Sequence, residues 1–313
     1  MIIKKFEIEK DLKSLENYLR EQYLETNRMT SWLPERLHDL IYRMDTQYLK
    51  SGKEKSSDYI FIWYEEDKIV GCILPDGDAI YISTRVGYDH LFEEIVKFAE
   101  ENCGPLFEEG NHTIDFLVVT NDSQKERTYI LQELGYKRQE EEDHDNYVYP
   151  QEIEVTVDLP DGYELVYGDQ YPNEIHKWSA CNLGFHPDLE SPDYENDMAA
   201  YNTRKNSSMY QNSFECLVID KNTKEKNNVC SYCFVYVDLE SKTAFIEPVS
   251  TREKYRHQGI GTAMMHGVML KCKELGIKKC YVNSYDWRVK FYNAAGFITE
   301  DTIGFWHKKI NKN

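Results

Sequence analysis

The chain has 313 residues, 41% of them hydrophobic, and is therefore long enough for two domains with separate cores. Its formal net charge of −18 argues against a nucleic-acid partner, because a polyanion would be repelled. No apolar run approaches the roughly 20 residues needed to cross a bilayer, and the start of the chain does not resemble a signal peptide, so we expect a cytoplasmic protein without a membrane partner.

Hydrophobic periodicity divides the first half of the chain into strands and helices. The turn Pro75-Asp76-Gly77-Asp78 joins two of the strands as a hairpin. In chain order the predicted elements are a strand at 2–8, helices at 12–23 and 33–44, strands at 59–64, 68–74 and 79–83, a helix at 91–101, a strand at 113–119, a helix at 123–134 and a strand through residues 147 and 148.

The second half repeats this order, which indicates an ancient duplication. Leu134-Gly135-Tyr136 and Ala295-Gly296-Phe297 stand at matching places, about half the chain apart. We place the boundary near Pro150, so that the domains are 1–150 and 151–313. The predicted elements are a strand at 153–157, a helical and loop region at 173–210, a strand at 214–219, a hairpin of 229–237 with 244–249, and then a helix, a strand, a helix and a last strand.

Eight cysteines are scattered through apolar segments, and their spacing favours neither a disulfide framework nor a metal site. Cys230-x-x-Cys233 is the one close pair. It lies in a strand-like run, where residues three apart point to opposite faces of a sheet, so we expect two buried thiols and no metal.

The most informative stretch is a strand, a glycine-rich turn and a helix in direct succession. The turn is Arg256-His257-Gln258-Gly259-Ile260-Gly261. Unpaired backbone N–H groups converge at the start of such a helix, where the helix dipole also favours negative charge. Gly259 and Gly261 let the backbone approach a phosphate, and Arg256 adds a cation. The pattern predicts an anion site and fits neither the Walker phosphate loop nor the dinucleotide fingerprint.

Two motifs together resemble the GNAT acetyltransferase superfamily. Arg256-x-x-Gly259-x-Gly261 is similar to its pyrophosphate loop, and Phe291-Tyr292-x-x-x-Gly296-Phe297 is similar to a second signature that follows in the expected order. The resemblance covers residues 153–310. It implies an α/β (α+β) fold of two tandem GNAT-like acyl-CoA N-acyltransferase domains, each a mixed central sheet flanked by helices. In that fold two central strands separate, and the pantetheine arm of coenzyme A inserts between them.

The resemblance also implies roles for individual residues. Acetyl-CoA would be the cosubstrate, held by Val249, Arg256, His257, Gln258, Gly259, Ile260, Gly261 and Thr262. Pro248 cannot donate to a strand ladder, so we expect an edge or bulge that leaves the backbone near Val249 open to the pantetheine. Tyr292 matches the family tyrosine that protonates the departing sulfur, and Glu247 is a candidate relay for the proton of the amine.

The sequence departs from the family pattern at two places. Many relatives carry Asn and Ala where Tyr285 and Arg288 stand here. In the first half the corresponding segment, 83–90, has a single glycine and no paired-glycine turn, so we expect residues 1–150 to be a degenerate copy that binds no coenzyme A. In such folds the region 178–210 usually recognises the acceptor, and its aromatic and acidic residues would suit an amine with an apolar portion: Trp178, Phe185, His186, Asp188, Glu190, Asp193 and Tyr194. The alternative is a solvated acidic loop with a few packed aromatic residues.

These features predict an N-acetyltransferase that transfers an acetyl group from acetyl-CoA to an amine of a small molecule or peptide by direct attack. An alternative is a non-catalytic coenzyme A-binding sensor or scaffold that kept the loop and lost turnover. A third is an acyltransferase for a longer acyl group.

Overall fold

The computed structural model describes residues 1–107, 113–185, 194–211 and 214–311, with the backbone alone described at 194–197. The chain forms two compact units. Unit 1 comprises Met1–Asp145 together with Asp301–Asn313, and unit 2 comprises Asn146–Glu300. The predicted boundary near Pro150 lies close to this division, and the structure adds the C-terminal segment to unit 1.

Unit 1 is a sheet flanked by helices, and its strands lie in the order β1-β2-β3-β4-β5-β12. Its elements are β1 (Ile2–Lys5), α1 (Ile8–Thr26), α2 (Pro34–Asp39), a π-helical turn (Leu40–Met44), α3 (Asp45–Lys50), β2 (Phe61–Glu65), β3 (Lys68–Asp76), β4 (Ala79–Thr84), α4 (Phe92–Asn102), β5 (Thr113–Asn121), α5 (Lys125–Glu133), and the greater part of β6 (Lys137–Val148) and of β12 (Ile298–Asn311).

The C-terminal strand completes the sheet of unit 1. Strand β12 runs antiparallel to β5, with register pairs from Ile303↔Asn121 to Asn311↔Thr113. Its Trp306 is 3% exposed and belongs to the same core as Phe92 and Phe116. The last strand of the chain therefore contributes both hydrogen bonds and core packing to the N-terminal unit.

Unit 2 repeats the plan, with strands in the order β11-β10-β9-β8-β7. Its elements are β7 (Tyr163–Tyr167), α6 (Glu174–Phe185), α7 (Tyr194–Thr203), β8 (Glu215–Asp220), β9 (Val229–Asp238), β10 (Thr243–Thr251), α8 (Ile260–Glu274), β11 (Lys279–Tyr285) and α9 (Asp286–Ala294). One face of the sheet packs against α8, and the other against α6. The predicted α/β fold class is confirmed.

Three predicted elements differ from the structure. The helix expected at 33–44 is interrupted by the π-helical turn, and β6 extends through the acidic run at 140–145. The strand expected at 153–157 is wrong, although Ile153 and Val155 do alternate inward against the core. This segment is bound to helix side chains instead of a neighbouring strand: His266 Nδ1 lies 2.9 Å from the Thr156 carbonyl oxygen. An extended segment packed on a helix has the same alternation as a strand.

All eight cysteines are buried, as expected for core thiols. The expectation that Cys230 and Cys233 face opposite ways is wrong, because both lie in the core beside α8. The register between β8 and β9 shifts at Val218 and Ile219, leaving Cys230 as the extra residue of a β-bulge. A bulge reverses the side-chain alternation on one side of it.

Candidate functional site

Strands β10 and β11 separate part-way along unit 2. Their parallel pairing comprises Thr243–Phe245 with Lys279–Tyr281, although β10 continues to Thr251. On its other side β10 stays paired with β9, and the register shifts between Ile246 and Val249. Pro248, which has no N–H to donate, lies in that shift. The expected bulge is confirmed, and the pairing of the two central strands ends at Phe245, directly before it.

The glycine-rich turn connects the end of β10 with α8. His257 and Gly259 both have positive φ, +62° and +77°, and Gly259 caps the helix that begins at Ile260. The first backbone N–H groups of a helix have no partner within it, so this turn presents donors at the positive end of the α8 dipole. The local geometry is that of an anion site.

The two glycines are needed for different reasons. Gly259 has open space around its Cβ position, so its requirement is the left-handed backbone. At Gly261 a Cβ would lie 3.0 Å from Phe291 Cε2 and 3.2 Å from Thr251 Oγ1. A glycine is therefore needed at position 261 because α8 lies so close to α9 and to the end of β10.

Arg256 is committed to backbone carbonyls. Its Nε donates to the Thr251 oxygen at 3.0 Å, and Nη2 donates to the Gly184 oxygen at 2.5 Å. At Gly184 an added Cβ would lie 2.6 Å from Ser250 Cβ, so the end of α6 packs tightly on the end of β10. Arg256 thus fixes α6 beside the glycine turn while leaving its positive charge next to the site.

A cavity of about 480 Å³ lies between the end of β10, the glycine-rich turn and α9. This volume lies in the usual range for ligand pockets. It is lined by Gly184, Phe185, Val249, Ser250, Thr251, Tyr255, Arg256, His257, Gly259, Ile260, Gly261, Thr262, Trp287, Arg288, Phe291 and Tyr292. None of these residues is acidic, although the chain has 55 Asp and Glu. Among the described residues the cavity is therefore a cationic site in an acidic protein.

The structure brings most of the predicted site residues to this cavity. Those that line it are Val249, Arg256, His257, Gly259, Ile260, Gly261, Thr262 and Tyr292. Tyr292 is 4% exposed, and its ring packs edge-on against Phe297 at a centroid distance of 5.8 Å. Two predicted residues are not among the lining residues. Glu247 is half-buried on β10, and the Gln258 amide donates to the Lys254 carbonyl.

Several cavity residues were missed from the sequence. The sequence predicts that Phe185 contacts an acceptor, and it predicts no role for Ser250, Trp287 or Arg288. The departure of Arg288 from the family pattern was the available signal. Of the residues predicted for acceptor recognition, His186, Asp188, Glu190 and Asp193 and the side chain of Tyr194 lie outside the described residues, and Trp178 is buried.

A buried ionic cluster includes a residue of α6, and it was also not predicted from the sequence. The Glu215 carboxylate forms ion pairs with Lys177 Nζ and Arg204 Nη2, each at 2.5 Å. The side chains of all three residues are at most 1% exposed. Tyr201 and Tyr232 donate to the same carboxylate at 3.1 and 3.3 Å. Burial raises the pKa of both hydroxyls, which keeps them protonated as donors. Because Lys177 lies on α6, the cluster anchors the helix whose end lines the cavity.

Unit 1 has the same divergence of strands. Strands β4 and β5 pair over Ala79–Tyr81 with Leu117–Val119 and then separate. Arg127 of α5 enters the gap, donating from Nη1 to the Ile82 carbonyl at 2.9 Å and from Nη2 to the Thr84 hydroxyl at 2.5 Å. The cavity beside these strands measures about 10 Å³. A cavity of this volume is too small for a pantetheine arm.

Comparison with known proteins agrees with the architecture. Residues 175–297 match the model of the acetyltransferase (GNAT) family. No curated protein matches the sequence. The fold is similar to that of a tandem GNAT protein from the clavulanic acid biosynthesis pathway, with a TM-score of 0.63, 13% identity and coverage of 100% of this chain and 99% of that one.

Two further solved structures share the fold. One is a GCN5-related N-acetyltransferase from Sphaerobacter thermophilus, with a TM-score of 0.61, 13% identity and coverage of 89% of this chain and 94% of that one. The other is a GNAT-family acetyltransferase from Colwellia psychrerythraea, with a TM-score of 0.56, 12% identity and coverage of 98% and 100%. Within the described ranges, none of the helices combines the length and apolar character needed to cross a membrane.

Proposed function

We propose, from the membership of residues 175–297 in the GNAT acetyltransferase family, that this protein transfers the acetyl group of acetyl-CoA to an amine of a small molecule or peptide. The family match supports acyl transfer from a coenzyme A thioester in general. The choice of acetyl group, the amine acceptor and direct attack are the proposal. Unit 2 would carry the whole reaction.

The cavity of unit 2 is the observation that carries this proposal. Its glycine turn and helix start suit a diphosphate, and the divergent strands leave a slot beside Val249 for the amide-bearing pantetheine arm. No described residue of its lining is acidic, which favours a ligand with several negative charges. Tyr292, at the same cavity, would meet the thioester end.

In the proposed reaction the neutral amine attacks the thioester carbonyl carbon and forms a C–N bond. The negative charge that develops on the carbonyl oxygen would be met by a backbone N–H near Val249. The C–S bond then breaks, the thiolate takes a proton from the Tyr292 hydroxyl, and the nitrogen gives up its own proton. Glu247, two residues before Val249, is the proposed acceptor of that proton through water.

Acetyl-CoA binding and turnover can be tested in sequence. Isothermal titration with acetyl-CoA measures binding, and a thiol-release assay over a panel of amines measures transfer. We expect Tyr292→Phe to bind normally and to lose about 10²-fold or more in turnover, because general acid catalysis typically contributes 10²–10⁴-fold. Tyr129→Phe is the matched control, since Tyr129 is 60% exposed in unit 1.

The outcomes separate the competing functions. Binding without thiol release for any amine would favour a sensor or scaffold over an enzyme. Full turnover by Tyr292→Phe would exclude that tyrosine as the acid. Faster release from a longer acyl-CoA would identify a different acyl donor.

We further propose that unit 1 is a degenerate copy without a coenzyme site. Arg127 occupies the place between its separated strands, and its side chain is already satisfied there by Ile82 and Thr84. Titration should therefore give one coenzyme A per chain. A stoichiometry of two would contradict the proposal.

A further inference from the structure

Arg288 is the cation of the cavity that the fold leaves without a hydrogen-bonding partner within the described part of the chain. Its guanidinium carbon lies 4.3 Å from the ring centroid of Trp287 and 6.0 Å from that of Phe185. A guanidinium held by ring faces keeps its five N–H donors directed outward. Such a group is preorganised for a planar or tetrahedral oxyanion.

Trp287 presents an exposed aromatic surface within the part of the chain that the structure describes. It is 71% exposed at the cavity mouth, and its ring is parallel to that of Tyr285, with 5° between the planes and 6.4 Å between the centroids. Trp287 and Tyr285 together present an exposed aromatic surface beside the cavity. A flat, exposed indole next to a guanidinium suits a purine that carries phosphates.

The position of Trp287 and Arg288 indicates which part of the ligand they would contact. Trp287 and Arg288 precede Phe291 by about one turn of α9, and Phe291 packs against Gly261 in the turn that would hold the diphosphate. Arg256 is the cation at that turn, and its N–H groups are already bonded to backbone carbonyls. Coenzyme A carries two anionic groups, a diphosphate and a ribose phosphate. Arg288 supplies a second positive charge on the same side of the cavity.

We propose that Trp287 and Arg288 form a recognition site for the nucleotide end of the coenzyme, with the adenine stacked on the indole and a phosphate paired with the guanidinium. This inference rests on the proposed function. It makes the two residues determinants of donor specificity: the enzyme would discriminate strongly between coenzyme A and pantetheine, which lacks the nucleotide.

The test measures binding of three probes to the full chain: coenzyme A, its 3′-dephospho form, and pantetheine. For Arg288→Met we expect about tenfold or more weaker binding of coenzyme A, with pantetheine unchanged. For Trp287→Ala we expect about fivefold or more weaker binding of both nucleotide-containing probes, with pantetheine again unchanged. If dephospho-coenzyme A loses as much as coenzyme A in Arg288→Met, the guanidinium pairs with the diphosphate; if it loses nothing, the partner is the 3′-phosphate.

Lys290→Met provides a matched control. Lys290 is an exposed cation of the same helix that does not line the cavity, so its removal changes the net charge equally. Thermal unfolding without ligand shows whether each variant is folded. Arg288→Met should also show a smaller salt dependence of coenzyme A binding than the control.

The inference and the proposed function fail in different ways. If the wild type binds coenzyme A and both folded variants bind it equally well, the nucleotide site is refuted and the acyltransferase proposal stands. Equal losses for coenzyme A and pantetheine would also refute the site. If the wild type binds neither coenzyme A nor its dephospho form, the proposed function itself fails.

Discussion

The buried cluster around Glu215 gives the sharpest quantitative prediction about unit 2. The carboxylate is 0% exposed and neutralises part of the charge of Lys177 and Arg204, which are equally inaccessible. Glu215→Gln retains the shape of the side chain but leaves two buried cations without a counter-charge. Removing one partner of a buried ion pair costs about 3–5 kcal/mol of unfolding free energy.

Urea unfolding followed by circular dichroism measures this loss, and thermal unfolding should show a decrease of about 6–20 °C for a unit of this size. Glu164→Gln is the control, because Glu164 forms an exposed pair with Lys221 at 3.6 Å, and such pairs contribute less than about 1 kcal/mol. Lys177→Met should cost less than Glu215→Gln, since it leaves a balanced Arg204–Glu215 pair. A loss for Glu215→Gln no greater than for the control would refute the electrostatic reasoning.

Two further predictions concern unit 1. Trp306→Ala should lower the stability of unit 1 by about 3–5 kcal/mol, because a buried aromatic side chain is lost from its core, and hydrogen exchange should quicken in β5; faster exchange confined to unit 2 would contradict the observed strand pairing. Burial raises the pKa of Asp45 to about 6, so the folded state holds this proton more tightly than the unfolded chain and loses stability as the pH rises from about 4 to 6. Asp45→Asn should therefore be more stable than the wild type at pH 7, by up to about 3 kcal/mol, and no more stable at pH 4; a pH-independent difference in urea midpoints would refute this.

Local patterns in the sequence were sufficient for most of the elements and for the glycine turn before α8. The glycine turn, the proline in β10 and the helix beginning at Ile260 were all readable, because each depends on backbone preferences of a few neighbouring residues. The role of Gly261 was not, since the reason for it is the ring of Phe291, thirty residues away in the chain. The false strand at 153–157 shows the reverse case, in which a correct alternation of buried side chains lacked a pairing partner.

The sequence did not predict which distant segments of the chain lie next to each other. Nothing in the residues around Trp306 indicates that they complete the N-terminal unit, because the alternation of a strand does not specify its neighbour. The cluster of Lys177, Arg204 and Glu215 is equally invisible, since its members are separated in the chain and charged residues are normally expected at the surface.

The two units differ in the position of one arginine side chain, Arg127 in unit 1 and Arg288 in unit 2. Arg127 and Arg288 each lie eight residues before the glycine that follows their helix, Gly135 and Gly296. In unit 1 the carboxylate of Asp89 lies 3.0 Å from the Arg127 guanidinium and favours its position within the gap. In unit 2 no acidic side chain lines the cavity within the described residues, so Arg288 has no internal counter-charge and rests between aromatic rings at the mouth. We propose that this placement of carboxylates accounts for a coenzyme site in unit 2 alone, because an arginine pairs with the nearest available anion, whether that anion belongs to the protein or to a ligand.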